Sequence, residues 1–301
     1  MAPANVLILN FDGSVLPLPG AFSLSLSHWQ EAIRFGCTLS TLERLDSEIG
    51  FKSSLLWSTD EQTKSTPTKL KPTIFLGSGD YHHISHLLIR RYASTRPAMQ
   101  VVVFDNHPDN MRYPVGIHCG SWVNQVSRLP FVRCVHVLGI TSTDVEIAHA
   151  WENHLRPLRA GKVRYWCVGR NLAWMRYLGI TQSQSFESIP ALLHAFERYL
   201  QTHADPVYLS IDKDVLSPDE AHTNWDQGVM RLAELGSAIG LLKSRLIASD
   251  VTGEISVYAY QSRFKRLLSG LDKQPTISDT ELALWQREHQ VINQQLLAWL
   301  A

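Results

Sequence analysis

Short apolar runs alternate with amphipathic segments along most of the chain, and this alternation predicts its secondary structure. Runs rich in Val, Ile, Leu and Phe predict strands at 5–11, 73–76, 101–104, 132–138, 162–168, 207–211 and 246–248. Apolar residues at helical spacing predict helices at 27–35, 83–92, 145–155, 189–202 and 230–242, and a last helix that opens with the capping box Ser278–Glu281. Such alternation is typical of one three-layer α/β/α domain with a central, mostly parallel sheet, here over residues 1–301. The polar stretch 58–72, which contains two prolines, is predicted to be an exposed connection.

The strand at 101–104 is followed by side chains that could bind a metal. Its four apolar residues form a continuous run, which is typical of a strand buried on both faces. Asp105, His107 and Asp109 follow at alternate positions, so in extended chain they point to the same side. Pro108 favours an extended conformation at His107. The alternative is an ordinary polar turn, since Asp, Asn and Pro are common turn residues.

Several other predicted strands end in residues of the same kind. The strand at 207–211 is followed by Asp212 and Asp214, and the strand at 73–76 by Asp80, His82 and His83. The carboxyl ends of parallel strands lie at one edge of a sheet, where open α/β sheets place their ligands. Carboxylates crowded together repel each other, and a bound divalent cation is the simplest compensation. We therefore expect a metal site at this edge.

Composition and charge narrow the possible partners. Lys plus Arg and Asp plus Glu number 28 each, so the formal net charge is zero, and no basic stripe points to nucleic acid or an anionic membrane. The first residues do not resemble a signal peptide, and no apolar stretch approaches the ~20 residues that span a bilayer. The scattered cysteines indicate reduced thiols. We expect a cytoplasmic protein that acts on a small molecule and has no nucleic-acid or membrane partner.

Taken together, these segments resemble the arginase–agmatinase–formiminoglutamase family, the ureohydrolases. In that family the segments Gly-Gly-Asp-His, Asp-Ala-His-x-Asp and Ser-x-Asp-x-Asp-x-x-Asp-Pro supply ligands to two manganese ions. Here the second segment reads DNHPD at 105–109, and the third begins at Ser210, with Ser217 where the family usually has Asp. The resemblance covers roughly residues 73–255 and implies an arginase-like fold. It also implies the metal ligands Asp105, His107, Asp109, Asp212 and Asp214.

The first family segment matches GDYHHI at 79–84 less directly. Alignment with Gly-Gly-Asp-His-Ser-Ile implies His82 as a metal ligand, and this is the register we predict. A second register puts Tyr81 at the histidine position, so that His82 or His83 reaches the metal instead. A third reading makes a separate pair of His82 and His86, four residues apart on one helical face. In the simplest reading, these histidines only begin a helix.

The resemblance further implies a mechanism and a cofactor. A hydroxide that bridges two metal ions would attack the carbon of a linear C–N bond in a guanidino, amidino or formimino compound. Asp109 would orient this hydroxide and pass its proton on. An oxygen-rich set of four carboxylates and two imidazoles favours two Mn²⁺ ions, with Zn²⁺ or Fe²⁺ as alternatives. Family members commonly form trimers or hexamers, which implies a homo-oligomer.

His118 lies in the segment IHCGSW, which resembles the family's His-Gly segment. The resemblance implies that His118 assists proton delivery to the departing amine, and an imidazole with a pKa near ~6.5 can accept and donate a proton near neutrality. The alternative is a histidine that only packs in a loop. Cys119 suggests a rival cysteine nucleophile. Adjacent residues in extended chain point to opposite faces, however, so we do not expect it to share the site of His118.

The segments that should recognise the substrate depart from the family. Arginases and agmatinases carry a Pro-Gly-Gly-containing loop after the third segment, whereas this chain reads AHTNWDQG at 221–228. We expect Trp225 and Asp226 to shape a pocket for a different substrate, although Trp225 could instead pack the loop against the sheet. The family's Asp-x-x-Glu segment, whose glutamate holds the guanidinium, reads DVTGE at 250–254, which is one residue too long. Glu254 would reach the substrate if a β-bulge absorbs the extra residue.

Two other functions remain open from the sequence. Metal-dependent deacetylases share this fold and usually bind one Zn²⁺ through an Asp, a His and a second Asp. The double carboxylate set, with Asp105 and Asp109 on one strand and Asp212 and Asp214 on another, argues against a single ion. A catalytically silent binding protein would keep the fold, and the altered first and guanidinium segments are compatible with that reading.

Overall fold

The computed structural model describes residues 6–54, 71–93, 98–261, 265 and 277–301. Its strands are β1 (Val6–Asn10), β2 (Phe22–Ser25), β3 (Gly36–Cys37), β4 (Thr73–Ser78), β5 (Met99–Phe104), β6 (Ile117–His118), β7 (Val132–Ile140), β8 (Val163–Val168), β9 (Gln184–Phe186), β10 (Val207–Asp212) and β11 (Leu246–Glu254). Its α-helices are α1 (Gln30–Ile33), α2 (Leu39–Ser54), α3 (Ile84–Arg90), α4 (Trp122–Ser127), α5 (Leu155–Arg159), α6 (Ala173–Tyr177), α7 (Ile189–Gln201), α8 (Leu232–Leu242) and α9 (Asp279–Leu300). None of the helices within the described ranges combines the length and hydropathy that a membrane span requires.

Nine strands form one sheet in the order β2-β1-β4-β11-β10-β5-β7-β8-β9. Neighbouring strands in this sheet pair in parallel throughout. Parallel neighbours need crossover connections, so helices cover both faces of such a sheet. The carboxyl ends of β4, β11, β10 and β5 consequently lie side by side at one edge.

Each face of the sheet carries its own hydrophobic cluster. In β5, Val101 and Val103 pack in a cluster with α2, α3 and α4, whereas Val102 and Phe104 pack in a cluster with α7, α8 and α9. All four side chains are fully buried, as their continuous apolar run predicted. Helix on sheet on helix is the predicted three-layer α/β/α architecture, which is therefore confirmed.

Most predicted elements lie within one to three residues of the observed ones. The last helix begins as predicted, because the Ser278 side chain accepts from Glu281 N and the Glu281 side chain accepts from Ser278 N. The strand predicted at 246–248 is longer and runs to Glu254, so Asp250 lies inside it. The exposed connection predicted at 58–72 lies almost wholly outside the described residues, and the single-domain assignment stays a prediction.

Two predicted helices differ from the observed structure. The helix predicted at 145–155 is wrong: the chain forms 3₁₀ turns at Thr143–Val145 and Ile147–His149. The Asn153 side chain donates to the carbonyl oxygens of Asp144 and His149, and these local bonds compete with helical ones. The segment predicted as a helix at 27–35 contains only α1 after a 3₁₀ turn, and Phe35 follows with a positive φ of 69°. The prediction did not contain the strands β2, β3, β6 and β9 or the helices α2, α4 and α6.

A second, two-stranded sheet brings two distant segments together above the main sheet. β3 pairs antiparallel with β6, so that Gly36 lies opposite His118. A Cβ at Gly36 would lie in contact with the Cβ and Cα of His118, so only glycine permits this approach. The pairing places Phe35, the residue before β3, beside the His118 ring, with ring centroids 5.7 Å apart.

Candidate metal centre

A cavity of about 860 Å³ opens where the carboxyl ends of β4, β11, β10 and β5 meet. Open parallel sheets bind ligands at such a position, where connections on the two sides diverge. The cavity is lined by nine of the site residues selected from the sequence: His82, Asp105, His107, Asp109, His118, Asp212, Asp214, Trp225 and Asp226. Residues that are 144 positions apart in sequence, such as His82 and Asp226, therefore contribute to one site.

Two groups of side chains in the cavity have the composition and spacing to hold a metal ion. In the first group, His82 Nδ1 lies 3.2 Å from Asp105 Oδ2 and 3.0 Å from Asp109 Oδ2. In the second group, His107 Nδ1 lies 3.6 Å from Asp105 Oδ1 and 2.9 Å from Asp214 Oδ2. Asp105 belongs to both groups and presents a different oxygen to each. Asp105 is therefore the carboxylate that the two groups have in common.

Asp212 lies beside the first group. Its Oδ2 is 3.4 Å from His82 Nδ1, and its Oδ1 accepts a hydrogen bond of 3.0 Å from the backbone N–H of Asp214. A Cβ at Gly79 would lie 3.1 Å from Asp212 Oδ2, so the absence of a side chain there leaves room for the carboxylate. The turn after β10 and the glycine after β4 together aim Asp212 into the cavity.

Asp109 adopts a backbone conformation that few residues tolerate. Its φ is 46°, in the left-handed region that Asp and Asn occupy more readily than most side chains. The indole N–H of Trp122 donates to Asp109 Oδ2 over 2.6 Å, and the backbone N–H of Val123 donates to the Asp109 carbonyl. The start of α4 thus holds the carboxylate toward His82.

The four carboxylates are buried close together, and this crowding changes their pKa values. Burial, followed by the charge of Asp105, raises the pKa of Asp109 to about 7 and that of Asp214 to about 6. Burial and the charge of Asp214 raise the pKa of Asp212 well above its usual value. Burial opposes ionisation of Asp105 as well, but its hydrogen bonds to His107 and His82 outweigh burial and lower its pKa. A divalent cation would relieve the repulsion, and these oxygen and imidazole donors suit such an ion.

A chain of hydrogen bonds fixes the His82 ring at Nε2, the nitrogen that faces away from the carboxylates. His82 Nε2 lies 2.9 Å from Ser210 Oγ, which donates to Asp250 Oδ1 over 2.6 Å. The hydroxyl of Tyr208 donates to the other Asp250 oxygen, also over 2.6 Å. Partners of this kind orient a metal-binding imidazole and leave its other nitrogen for the metal. Here the nitrogen left facing the carboxylates is Nδ1.

The alternative histidines of the first segment lie elsewhere. His83 is fully buried outside the cavity, both of its ring nitrogens lack a hydrogen-bond partner among the described residues, and burial lowers its pKa well below the usual value. Burial, followed by the nearby Arg90, lowers the pKa of His86 to about 4. Neither residue lines the cavity, so His82 is the histidine of this segment that faces the carboxylates.

His118 lines the cavity, but its environment differs from the one expected. Burial lowers its pKa to about 4, so the ring is neutral near pH 7 and not poised between two protonation states. The backbone N–H of Gly120 donates to His118 Nδ1 over 2.9 Å, which leaves the ring proton on Nε2. Cys119 lines the same cavity, which corrects the expectation that it does not share the site of His118, and its backbone N–H donates to the Phe35 carbonyl.

Trp225 and Asp226 line the cavity as expected, on the loop between β10 and α8. The Trp225 ring lies near the rings of Phe35 and His107, with centroids 6.2 Å and 6.3 Å away. The Asp226 side chain is 70% exposed, and its Oδ1 lies 2.8 Å from His107 Nε2.

Glu254 is the predicted site residue that the structure places away from the cavity, and this corrects the expectation that it binds substrate. A register shift does occur in β11 at this point, but it directs Gly253 toward the metal centre instead. Gly253 has a φ of 86°, and a Cβ there would contact Asp212 Oδ1 and Lys213 N. Glu254 is 1% exposed and forms a 2.5 Å ion pair with Lys213.

Several residues of the site were not selected from the sequence. Phe35 lines the cavity with a strained positive φ, which sequence patterns do not reveal. Arg112 and Tyr113 also line it, and their position between the second segment and His118 was a signal that could have identified them. Arg112 is an exposed cation at the rim, where it can contact a negatively charged group of a ligand.

Comparison with known proteins identifies relatives of the chain. The model of the arginase family matches residues 37–251, well over half of the sequence. An uncharacterized protein of Thermotoga maritima is 28% identical over 181 residues, which are 60% of this chain. The match spans only 57% of that relative's length.

Solved structures share the fold at low sequence identity. Proclavaminate amidinohydrolase from Streptomyces clavuligerus superposes with a TM-score of 0.51 at 15% identity, covering 95% of this chain and 91% of that one. Arginase from Bacillus subtilis gives 0.54 at 13% identity, with 93% and 84% covered. Agmatine ureohydrolase of Thermoplasma volcanium gives 0.51 at 13% identity, with 86% and 69% covered. At such identities the likeness concerns the fold.

Proposed function

The chain belongs to the arginase family, and on this basis we propose that it hydrolyses a linear C–N bond of a guanidino, amidino or formimino compound with two divalent metal ions. The observation that supports the proposal is the pair of Asp and His groups that share Asp105. His82, Asp105, Asp109 and Asp212 would hold one ion, and Asp105, His107 and Asp214 the other. Mn²⁺ suits this oxygen-rich set best, with Zn²⁺ or Fe²⁺ as alternatives.

When bound, the ions would supply Lewis acidity and lower the pKa of water toward neutrality. The protein's own residues would orient the reactants and move protons. Asp109, fixed by the indole N–H of Trp122, would accept a proton from the attacking water at its carboxylate and pass it to the departing nitrogen as the C–N bond breaks. His118 would donate a hydrogen bond from Nε2 to the departing nitrogen, since its Nδ1 is occupied by the Gly120 N–H. Both residues line the same cavity.

The substrate would be held without the glutamate that binds the guanidinium in the family's Asp-x-x-Glu segment. Gly253 faces the metal centre without a side chain, and Glu254 is paired with Lys213. The rings of Phe35 and Trp225 form one wall of the cavity. Aromatic faces attract planar cations and also pack against apolar groups. The exposed Arg112 at the rim would contact an acidic group of the same substrate.

Metal content and product release test the proposal together. The protein purified with added Mn²⁺ should contain two ions per chain by elemental analysis, and Asp105→Asn should lose both because Asp105 serves both groups. Asp219→Asn, at an exposed site, is the matched control. Guanidino, amidino, formimino and acylated amine compounds would be screened for release of urea, ammonia or acetate. One zinc ion with acetate release would favour the deacetylase-like function, and absence of bound metal would overturn the proposal.

A further inference from the structure

We propose that Asp226 and Asn106 form a clamp that fixes the ring of His107, so that Asp226 is a positioning residue of the metal centre. In this assignment Asp226 acts on the metal through His107. The sequence had suggested instead that Asp226 binds the substrate. The inference rests on the proposed metal-dependent function. It adds a residue, carried by the loop between β10 and α8, that determines how one of the two ions is held.

The contacts of His107 carry the proposal. Its Nδ1 faces Asp214 and Asp105 within the second group, and its Nε2 lies 2.8 Å from Asp226 Oδ1. A neutral imidazole that offers Nδ1 to a cation must carry its proton on Nε2. A carboxylate that accepts this proton fixes the tautomer, limits rotation of the ring and makes Nδ1 a better ligand. Asp226 satisfies that geometry.

Asn106 holds the carboxylate of Asp226 in place. Its Nδ2 donates to the Asp226 carbonyl over 3.0 Å and to Asp226 Oδ2 over 3.3 Å. Its Oδ1 accepts from the hydroxyl and the backbone N–H of Thr141, at 2.6 Å and 3.1 Å. Asn106 itself is 1% exposed, whereas the side chain of Asp226 is 70% exposed. Asn106 thereby connects the end of β5 and the end of β7 to the loop.

The loop between β10 and α8, which carries Asp226, is held in place by hydrogen bonds of its own. Asn224 exchanges two hydrogen bonds with the backbone of Ser256, and Gln227 Nε2 donates to the carbonyl oxygens of Leu216 and Ala221. These bonds do not involve Asp226, so its side chain can be removed while the loop stays in place. A site held by such supporting bonds keeps its geometry better than one on an unsupported loop.

Metal titration of the full-length protein tests the clamp. Isothermal titration with Mn²⁺ should show two sites in the wild type, and Asp226→Ala should weaken one of them about 10–100-fold while the other is unchanged. Asp226→Asn, whose amide oxygen can still accept from His107, should lose less. Asp219→Ala on the same connection is the exposed control and should bind like the wild type. Urea unfolding of the metal-free variants checks that the fold is intact.

Asn106→Ala supplies the second arm. It should weaken the same site, and the double variant with Asp226→Ala should bind Mn²⁺ no more weakly than Asp226→Ala alone, because the two residues act in series. At saturating Mn²⁺, Asp226→Ala should keep the KM of the wild type for any substrate found. Unchanged Mn²⁺ affinities with a raised KM would overturn the clamp and make Asp226 a substrate ligand. A wild type that binds no metal would refute the clamp and the proposed function together.

Discussion

Buried histidines in this protein differ in whether a carboxylate accompanies them. His82 lies among three carboxylates, and although burial acts to lower its pKa, hydrogen bonds to Asp105 and Asp109 raise it well above the usual value. His136 is equally buried but packs among Trp166, Phe196 and Tyr199, and burial, followed by the nearby Arg164, lowers its pKa well below that value. Its Nδ1 accepts from the indole N–H of Trp166 over 3.2 Å, which requires the neutral ring.

We expect His136 to destabilise the protein in mild acid. Below about pH 6.5 the unfolded chain binds a proton at this histidine and the folded protein does not, so the free energy of unfolding falls as pH falls. The slope from one such group approaches about 1.4 kcal/mol per pH unit. His136→Gln should remove this part of the slope in urea unfolding between pH 7.5 and 5.

The difference between variant and wild type isolates His136 from the other buried groups, among them Asp109, Asp212 and Asp214, whose raised pKa values act in the opposite direction. His194→Gln, at an exposed site, is the matched control variant. An identical pH dependence in His136→Gln and the wild type would contradict the assignment of a depressed pKa.

At the scale of elements, a buried ion pair connects three segments behind the metal centre. Lys213 in the turn after β10 pairs with Glu254 at the end of β11, and both are at most 1% exposed. Asn293 of α9 accepts from Lys213 Nζ over 3.1 Å and donates to Glu254 Oε1 over 2.7 Å. The ion pair therefore joins α9 to the strand ends that carry Asp212 and Gly253.

Removal of one member of the Lys213–Glu254 ion pair should lower the free energy of unfolding far more than removal of both. Lys213→Met leaves the Glu254 carboxylate buried without its cation, which typically costs about 3–5 kcal/mol of unfolding free energy. The double variant Lys213→Met with Glu254→Gln removes both charges and should recover much of that loss. Urea unfolding at pH 7.5 measures both, with Lys243→Met at an exposed position as control. A single variant as stable as this control would show that the pair is not energetically important.

At the scale of the molecule, the metal centre joins parts of the sheet that lie far apart in sequence. His82 follows β4, Asp105 follows β5, and Asp212 ends β10, with β11 between β4 and β10. An ion that binds only when these strands are correctly paired stabilises the folded state by mass action. We therefore expect metal binding to stabilise the folded state in which these strands are paired.

Metal removal should lower the thermal stability of the whole protein. Free Mn²⁺ at 100 times its Kd stabilises the folded state by about 2.7 kcal/mol for each site, provided the unfolded chain does not bind it. Scanning calorimetry should show a higher Tm with Mn²⁺ than with a chelator. Asp105→Asn should show no such shift, because it lacks the ligand shared by both groups. Equal Tm values for the wild type under both conditions would contradict metal binding at this centre.

The sequence by itself determined the architecture and most of the side chains that meet at the strand ends. The continuous run at 101–104 predicts a strand buried on both faces, because only such a strand needs apolar side chains at every position. The alternation of Asp105, His107 and Asp109 predicted that their side chains share one side, and all three line the cavity, although Asp109 does so from a left-handed backbone conformation. Both signals are local, and local geometry is what a sequence pattern encodes.

Tertiary structure alone decided the surroundings of those residues. The bulge in β11 turns Glu254 toward Lys213, which one extra residue in the sequence could not indicate, since the direction of a bulged side chain depends on its packing partners. The pairing of β3 with β6 brings Phe35 to His118, and the loop between β10 and α8 brings Asp226 to His107. Such contacts between distant segments arise from the packing of the whole chain, and no spacing along the sequence specifies them.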